Sequence, residues 1–445
     1  MKEYELVIGV EIHIELKTKS KMFCTCSAEY FASAPNANTC PICLGMPGTL
    51  PIPNKTAIDY AIKVARALQC SINTEFVFAR KHYFYPDLPK GYQITQYHTP
   101  IGIQGTLAIN AIDGSMKEFR ITRVHIEEDT GKLMHDEGCS LIDYNRAGVP
   151  LLEIVTEPVF HSSDEVKTFL EHLHTVIKYL GVSDAEMEKG SMRLEPNISV
   201  REKGVKKLPE YKVEIKNINS FNFVKQAIEF EFQRQAGILE QGGLPDQETR
   251  GFQEKDRATF SQRKKEDAGG YRYFPEPDIP PIQYSREALE KIYATIPELH
   301  GEKQLRFVSQ YLIKDSDAAT LARTRVTADL FEDIVVTYMR EKRKKYDDKD
   351  LPQKIANLIV NAKISLTQSR EGILANIESY LAPAEVNTQD LEIVVRKVVE
   401  ANREVFEEYK NGKESVKMFF IGQVKRALQG SGDPEEILRL VRGMF

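Results

Sequence analysis

Glu11, His13 and Glu15 alternate with Val10, Ile12 and Ile14 near the start of the chain. Successive side chains of a strand point to opposite faces, so the ionisable groups would share one face and the aliphatics the other. The stretch ITRVHIEED repeats the arrangement, with Arg123, His125 and Glu127 on one face and Val124 and Ile126 on the other; Glu128 follows directly. LLEIVTEP adds Glu153 and Glu157 from a largely apolar run. Carboxylates set among branched aliphatics cost desolvation unless something positive meets them. A hard divalent cation held by oxygens, its shell completed by phosphate, is one such compensation. Taken singly, each strand reads more readily as amphipathic, with solvated carboxylates. The recurrence of His and Glu at the same spacing moves the reading toward a site, although periodicity does not make the strands neighbours.

Cys24, Cys26, Cys40 and Cys43 form a C-x-C pair, thirteen residues, then a C-x-x-C pair. Two chelating pairs at this separation point to a structural four-thiolate zinc site, with Gly45, Pro47 and Gly48 supplying a tight knuckle. A redox role for Cys40 and Cys43 is the weaker reading, because no thioredoxin-like strand and helix surround them. Basic residues in ARKHYFYPDLPKGYQ, namely Arg80, Lys81 and Lys90, sit among aromatic and Pro-rich turns that suit phosphate or, equally, a charged surface. No phosphate-binding Gly-x-x-x-x-Gly-Lys-Ser/Thr loop and no protein-kinase set occur, so any use of ATP needs another architecture.

The elements that would position these groups follow from period and punctuation. Residues 1 to about 160 are strand-rich, with alternating segments at 5–15 and 105–109, a turn signal at Asp113-Gly114 and one amphipathic helix at about 55–68. Ser163-Asp164 reads as a helix start, followed by strands at 197–200 and 212–216. Residues 269–281 read as an ordered, irregular loop. Beyond about 290 Pro becomes rare, and 321–339 and 391–408 are helical by period. A Pro-Ala turn at 383–384 marks a boundary. The expected class is α+β: a large mixed α/β domain with an antiparallel sheet over 1–293, a helical domain over 294–385, and a small helical tail over 386–445.

The chain has 445 residues, a formal net charge of -5 and a sequence pI near 6.1, so no large basic field marks it as a general nucleic-acid binder. The basic run at 342–345 reads as a solvated helix end. No apolar run approaches the roughly 18 residues that span a bilayer. The acidic N-terminus and six cysteines without a disulfide pattern fit a reducing cytoplasm.

Longer motifs carry a family resemblance. GVEIHIELKTKSKMF, APNANTCPICLGMPGTLP, RKHYFYPDLPKGYQITQ, HIEEDTGKLMH, DYNRAGVPLLEIVTEP, GSMRLEPNISVR, EIKNINSF and YRYFPEPDIPP resemble, in order, the B subunits (GatB) of the glutamyl-tRNA(Gln)/aspartyl-tRNA(Asn) amidotransferases. The tail YKNGKESVKMFFIGQVKRALQGSGDPEEILRLV is similar to the small helical domain that ends those proteins. The resemblance implies a cradle-shaped catalytic domain and a tRNA-binding tail. It also implies ATP-dependent phosphorylation of the side-chain carboxylate of Glu-tRNA(Gln) or Asp-tRNA(Asn), then displacement of phosphate by ammonia. Ammonia would come through a tunnel from an amidase, the A subunit, with the two proteins bridged by a small C subunit.

By resemblance, magnesium ligands map onto Glu11, His13, Glu127 and Glu153, with Glu128 contributing by way of water. Lys81 and Lys90 map onto the mouth of the ammonia tunnel. Arg80, Asn197 and Asn219 are assigned to the nucleotide, the two asparagines also lining the active site, where Arg193 and Lys216 are assigned to catalysis. The cysteine quartet would hold structural zinc. This chain departs from the family where Arg-Cys-Asp-Ala-Asn becomes Arg193-Leu194-Glu195-Pro196-Asn197, so no role carries over to Glu195. The helical part at 295–385 also looks shorter than usual.

Two other classes compete. A metal-dependent hydrolase would use the same His and Glu strands to activate water, but leaves the tail unexplained. A non-catalytic tRNA-binding scaffold would rely on Lys413, Lys417, Lys425 and Arg426, and leaves the intact acidic strands unexplained. The sequence has no amidase signature, so the chain is not expected to take ammonia from glutamine alone.

Overall fold

Strand β1 (Tyr4–Glu15) is the centre of a nine-stranded sheet, because its even-numbered aliphatics demand burial on one face. Ile8, Val10, Ile12 and Ile14 are at most 1% exposed. Burial of each contributes on the order of 2 kcal/mol. The computed structural model describes residues 3–110, 116–264, 271–341, 350–381, 388–428 and 432–444.

The remaining strands, in chain order, are β2 (Ser71–Ile72), β3 (Glu75–Phe76), β4 (Ala79–His82), β5 (Tyr92–Thr95), β6 (Gly102–Asn110) and β7 (Met116–Glu128). They continue as β8 (Lys132–Asp136), β9 (Cys139–Asp143), β10 (Pro150–Thr156), β11 (Met192–Glu202) and β12 (Val213–Lys216). The last four are β13 (Glu248–Gln253), β14 (Ala258–Lys264), β15 (Arg272–Pro275) and β16 (Ile282–Gln283). The large sheet runs β14-β13-β12-β11-β1-β10-β7-β6-β2. Its pairs are antiparallel except β12 with β13.

Three helices supply the apolar cover: α1 (Lys55–Ala67), α2 (Ser163–Leu180) and α3 (Phe221–Glu240). Ile58, Ile62, Phe169, Leu173, Val224 and Ile228 from these helices join Ile12, Val124, Ile154 and Leu194 from the strands in one core. The opposite face of β1 carries Glu11 and His13. A three-stranded sheet, β15-β4-β5, brings Lys81, Thr95 and Tyr273 toward that face.

The chain divides into two compact units, Met1–Arg306 with Ala322–Ala328, and Phe307–Leu321 with Asp329–Phe445. Helices α4 (Arg286–Tyr293), α5 (His300–Tyr311), α6 (Asp315–Leu321) and α7 (Arg325–Glu341) come next in the chain. They are followed by α8 (Leu351–Val360), α9 (Arg370–Leu381), α10 (Thr388–Ala401), α11 (Arg403–Lys410), α12 (Lys417–Ala427) and α13 (Pro434–Arg442). Within the second unit, α10 to α13 enclose a core of their own around Val395, Phe420, Val424, Ile437 and Val441.

Several expectations are corrected. The segment expected to be an irregular loop over 269–281 contains β15, which pairs with β4 and satisfies backbone groups that would otherwise form an open edge. The expected helix over 321–339 is broken at Thr324, whose hydroxyl accepts from Thr327 N at 3.2 Å and starts α7. The expected helix over 391–408 is broken at Asn402 between α10 and α11. The Asp113-Gly114 turn, Gly269 and Gly270, the basic run 342–345 and the 383–384 turn lie outside the described residues.

Candidate active site

Strand register decides which ionisable groups meet. Across β11, β1, β10 and β7, Arg193, His13, Glu153 and His125 occupy one row. β1 and β7 are therefore not neighbours; β10 lies between them and supplies the carboxylate that both histidines share. Glu153 lies 3.4 Å from His13 Nε2 and 3.2 Å from His125 Nε2. Glu127, one face-step along β7, lies 4.0 Å from His13 Nε2 and accepts the Thr95 hydroxyl at 2.9 Å. The next row sets Glu195 beside Glu11.

These groups line a cavity of about 590 Å³ that also takes in Lys81, Arg123, Asp129, Lys212, Glu214 and Lys216. Its electrostatics are those of carboxylates crowded together. Burial, then the charge of Glu153, pushes the Glu11 carboxyl above its ordinary value. Burial opposes ionisation of Glu153 too, but His125 and His13 hold it well below the usual carboxylate range. His13 is pushed up to about 9: burial works against the proton, and the hydrogen bond and charge of Glu153 outweigh it. Lys81 is raised because the charge of Glu127 and its neighbours outweighs burial.

His13, Glu127 and Glu153 offer ligand atoms that all lie within 4.8 Å of one another, and Glu11, Glu195 and Glu214 form a second such group. Two carboxylates and an imidazole leave several coordination positions for phosphate oxygens, which suits magnesium. The Nδ1 atoms of His13 and His125 are buried without a hydrogen-bond partner among the described residues. The donor set fits a divalent cation. Glu11 stands in the adjoining group, beside Glu195, Glu214 and the bridging Lys216, which is 3.0 Å from Glu195 and 3.4 Å from Glu214. Asn197 donates to Glu11 at 3.0 Å.

The structure does not bring every expected residue into this cavity. Glu128 follows Glu127 on a strand and so faces the other way, accepting Ile94 N at 2.8 Å and Lys90 Nζ at 2.5 Å. Arg80 precedes Lys81 and likewise faces away, clamped by two 2.7 Å bonds to Glu276 with its guanidinium over the Tyr92 ring. Arg80, Lys90 and Glu128 line a separate cavity of about 190 Å³ with Cys43 and Lys21. Asn219 donates to Glu254 on the surface. Glu157 accepts from Thr122 outside the cavity. Glu15 accepts from the Tyr30 hydroxyl, and burial with nearby Asp129 pushes its carboxyl up to about 8.

Some residues of the site were not legible in the sequence. Glu195 stands at the centre of the acidic group although the broken family pattern gave it no role. The alternation of Arg193, Glu195 and Asn197 was the signal that could have found it. Asp129, 2% exposed, holds Arg193 at 2.5 Å. Burial opposes its charge, yet Arg193 and Arg146 hold its carboxyl down to about 2. Nothing in its local sequence announces that role.

Cys24, Cys26, Cys40 and Cys43 bring their four sulfurs within 4.8 Å of one another, a set able to hold a metal. Lys21 is fully buried beside them, with Nζ 3.8 Å from Cys43 Sγ and 3.2 Å from the Tyr144 carbonyl. The hydrogen bond from Cys24, with help from Cys40 and Lys21, outweighs burial and lowers Cys43 to about 4. A buried ammonium is what four thiolates around a dication, net negative, would need.

Residues 6–290 match the GatB/GatE catalytic domain, and residues 316–444 match the GatB domain. The chain belongs to the GatB family. The B subunit of the aspartyl/glutamyl-tRNA(Asn/Gln) amidotransferase of Carboxydothermus hydrogenoformans is 43% identical over 478 residues, covering 99% of both chains. The proteins of the same name from Persephonella marina and Thermotoga maritima are 39% and 40% identical, over 485 and 479 residues. They cover 100% and 99% of both chains respectively. The acidic cavity and the cysteine quartet both lie within the span of the GatB/GatE catalytic domain.

Proposed function

We propose that this chain is the ATP-using, tRNA-facing subunit of a tRNA-dependent amidotransferase. It would act on the side-chain carboxylate of Glu-tRNA(Gln), Asp-tRNA(Asn) or both, in the cytoplasm. The observation that carries the reading is the convergence of His13, Glu127 and Glu153, ringed by Lys81, Arg123, Arg193 and Lys216, in a chain of this family.

A carboxylate is a poor acceptor for ammonia, because oxide would have to leave. In the proposed sequence a side-chain carboxylate oxygen attacks the terminal phosphorus of ATP, and ADP departs. Ammonia then attacks the acyl carbon, phosphate leaves, and the nitrogen gives up a proton. His13, Glu127 and Glu153 would hold magnesium, with Glu11 beside them; when bound, the ion neutralises charge on the phosphoryl oxygens. Lys81 faces the same cavity from β4 and can meet the transferring phosphoryl or the entering amine. Arg193, fixed by Asp129, supplies a positive charge that does not wander. The Lys90–Glu128 pair lies behind this wall, in a position that suits the path of ammonia toward the site.

The family name implies partner proteins, here an amidase (the A subunit) and a small bridging protein (the C subunit). Cys24, Cys26, Cys40 and Cys43 would hold structural zinc. The chemistry is assigned to residues 1–293 and tRNA binding to the helical tail 386–445, which follows a helical domain over 294–385. In the test, the chain in complex with its amidase partner receives Glu-tRNA(Gln), ATP and magnesium. The expected result is tRNA-dependent ADP release. Binding of tRNA without ADP release makes the chain a scaffold, and ATP hydrolysis without a tRNA requirement makes it a hydrolase.

A further inference from the structure

Lys90 and Glu128 stand in the wall of the smaller cavity, their side chains only 10% and 3% exposed. Glu128 is held along its length. Its carboxylate accepts from Ile94 N and Lys90 Nζ, and its carbonyl accepts from Gln93 Nε2 at 2.8 Å. Lys90 reaches it on a flexible four-carbon stem, so the place of the ammonium depends on what packs against that stem.

The cysteine knuckle packs there. Cys40-Pro41-Ile42-Cys43 closes a turn in which Cys40 N donates to Cys43 Sγ at 3.1 Å and Leu44 N to the Cys40 carbonyl at 3.1 Å. Gly45 N continues the turn, donating to the Ile42 carbonyl at 3.0 Å. Gly45 has a φ of +67° and lays its bare Cα against Lys90. A Cβ there would overlap Lys90 Cγ and stand 3.2 Å and 3.3 Å from Lys90 Cβ and Cα. Gly48 of the same knuckle has a φ of +86°, yet a Cβ on it would meet nothing within 4 Å. Both glycines answer a left-handed backbone, but only Gly45 also answers a neighbour.

We propose that Gly45 is a positioning residue: the metal-binding turn sets its backbone on the Lys90 stem and thereby fixes the ammonium on Glu128. The assignment rests on the reading that the Lys90–Glu128 pair lies on the path of ammonia. Four thiolates around one metal leave no open position for chemistry, and this contact gives the knuckle its part in the reaction. Moving Lys90 off Glu128 disturbs the passage of ammonia and spares phosphoryl transfer on the other face of β7.

The test uses the chain in complex with its partner proteins and compares Gly45→Asn with Gly48→Asn, because Asn tolerates the left-handed backbone at both positions. Gly45→Asn is expected to lower glutamine-dependent amide formation by about tenfold or more. Amide formation from added ammonium chloride, which needs no path from the partner, and tRNA-dependent ADP formation are expected to stay within about twofold. Gly48→Asn is expected to leave all three within about twofold. Equal loss in the two variants, or parallel loss of all three activities in Gly45→Asn, makes Gly45 a residue of the fold alone. The paired variant Lys90→Met with Glu128→Gln tests the reading beneath. Full glutamine-dependent activity there removes both readings, whereas its loss there with full activity in Gly45→Asn removes only the positioning role. Where Gly45→Asn folds poorly, thermal midpoints decide: it is expected to destabilise the Lys90→Ala protein less than wild type, and additive losses would mean that the two residues do not meet.

Discussion

The carboxylate of Glu128 lies 2.5 Å from Lys90 Nζ on one face of β7, while that of its neighbour Glu127 stands 4.0 Å from His13 Nε2 on the other. Two consecutive residues thus serve two cavities separated by a single strand. Glu127→Gln is expected to abolish both ADP formation and amide formation. Glu128→Gln is expected to lower glutamine-dependent amide formation by about tenfold or more and to leave tRNA-dependent ADP formation within about twofold. Because Lys90 would be left buried without its counter-charge, at a cost of about 3–5 kcal/mol, the paired variant Lys90→Met with Glu128→Gln serves as the folding control. Parallel loss of both activities in Glu128→Gln and in the paired variant would tie Glu128 to the acidic site instead.

His13 contacts Glu153 and Glu127 and packs nothing into the core. Its replacement by Ala should reduce phosphoryl transfer by about 10²–10³-fold while tRNA affinity is kept. Rapid-quench ADP formation and filter binding of Glu-tRNA(Gln) separate the two quantities. Equal loss of both would make His13 structural.

Purified protein is expected to carry about one zinc per chain. Cys40→Ser should lower the thermal midpoint more than it lowers turnover of the protein that remains folded. Lys21→Met removes the buried ammonium beside Cys43 and should weaken zinc by about tenfold to a hundredfold, measured by competition with a chelating dye. Unchanged zinc affinity in Lys21→Met would mean that its contact with the Tyr144 carbonyl alone explains its burial.

His300 Nε2 sits 3.3 Å from His172 Nδ1, with the Tyr179 ring beside it. Burial, then His172, lowers the His300 pKa from 6.5 to about 4. The unfolded chain therefore binds more protons than the folded one between those values, so stability is full above about pH 6.5 and falls as pH drops toward 4. The loss is at most about 3 kcal/mol. Thermal midpoints at pH 7.5 and pH 5 should converge in His300→Gln relative to wild type. An unchanged difference would place the acid sensitivity elsewhere.

Alternation along each strand was enough to set the faces. Alternation in 10–15 and 123–127 set which side chains of β1 and β7 would be buried and which would project together, because a strand offers only two sides. The spacing of the cysteines likewise announced a four-sulfur cluster, since each pair is local. The same alternation requires Glu128 and Arg80 to face away from Glu127 and Lys81, which the family resemblance alone does not convey.

Which faces meet follows from contacts between distant segments of the chain. Nothing local states that β10 lies between β1 and β7, or that Glu195 of β11 comes to Glu11; those adjacencies depend on the long-range register of a nine-stranded sheet. The buried ammonium of Lys21 beside Cys43 and the hold of Asp129 on Arg193 are of the same kind. Each joins residues more than twenty positions apart, through packing that no periodicity records.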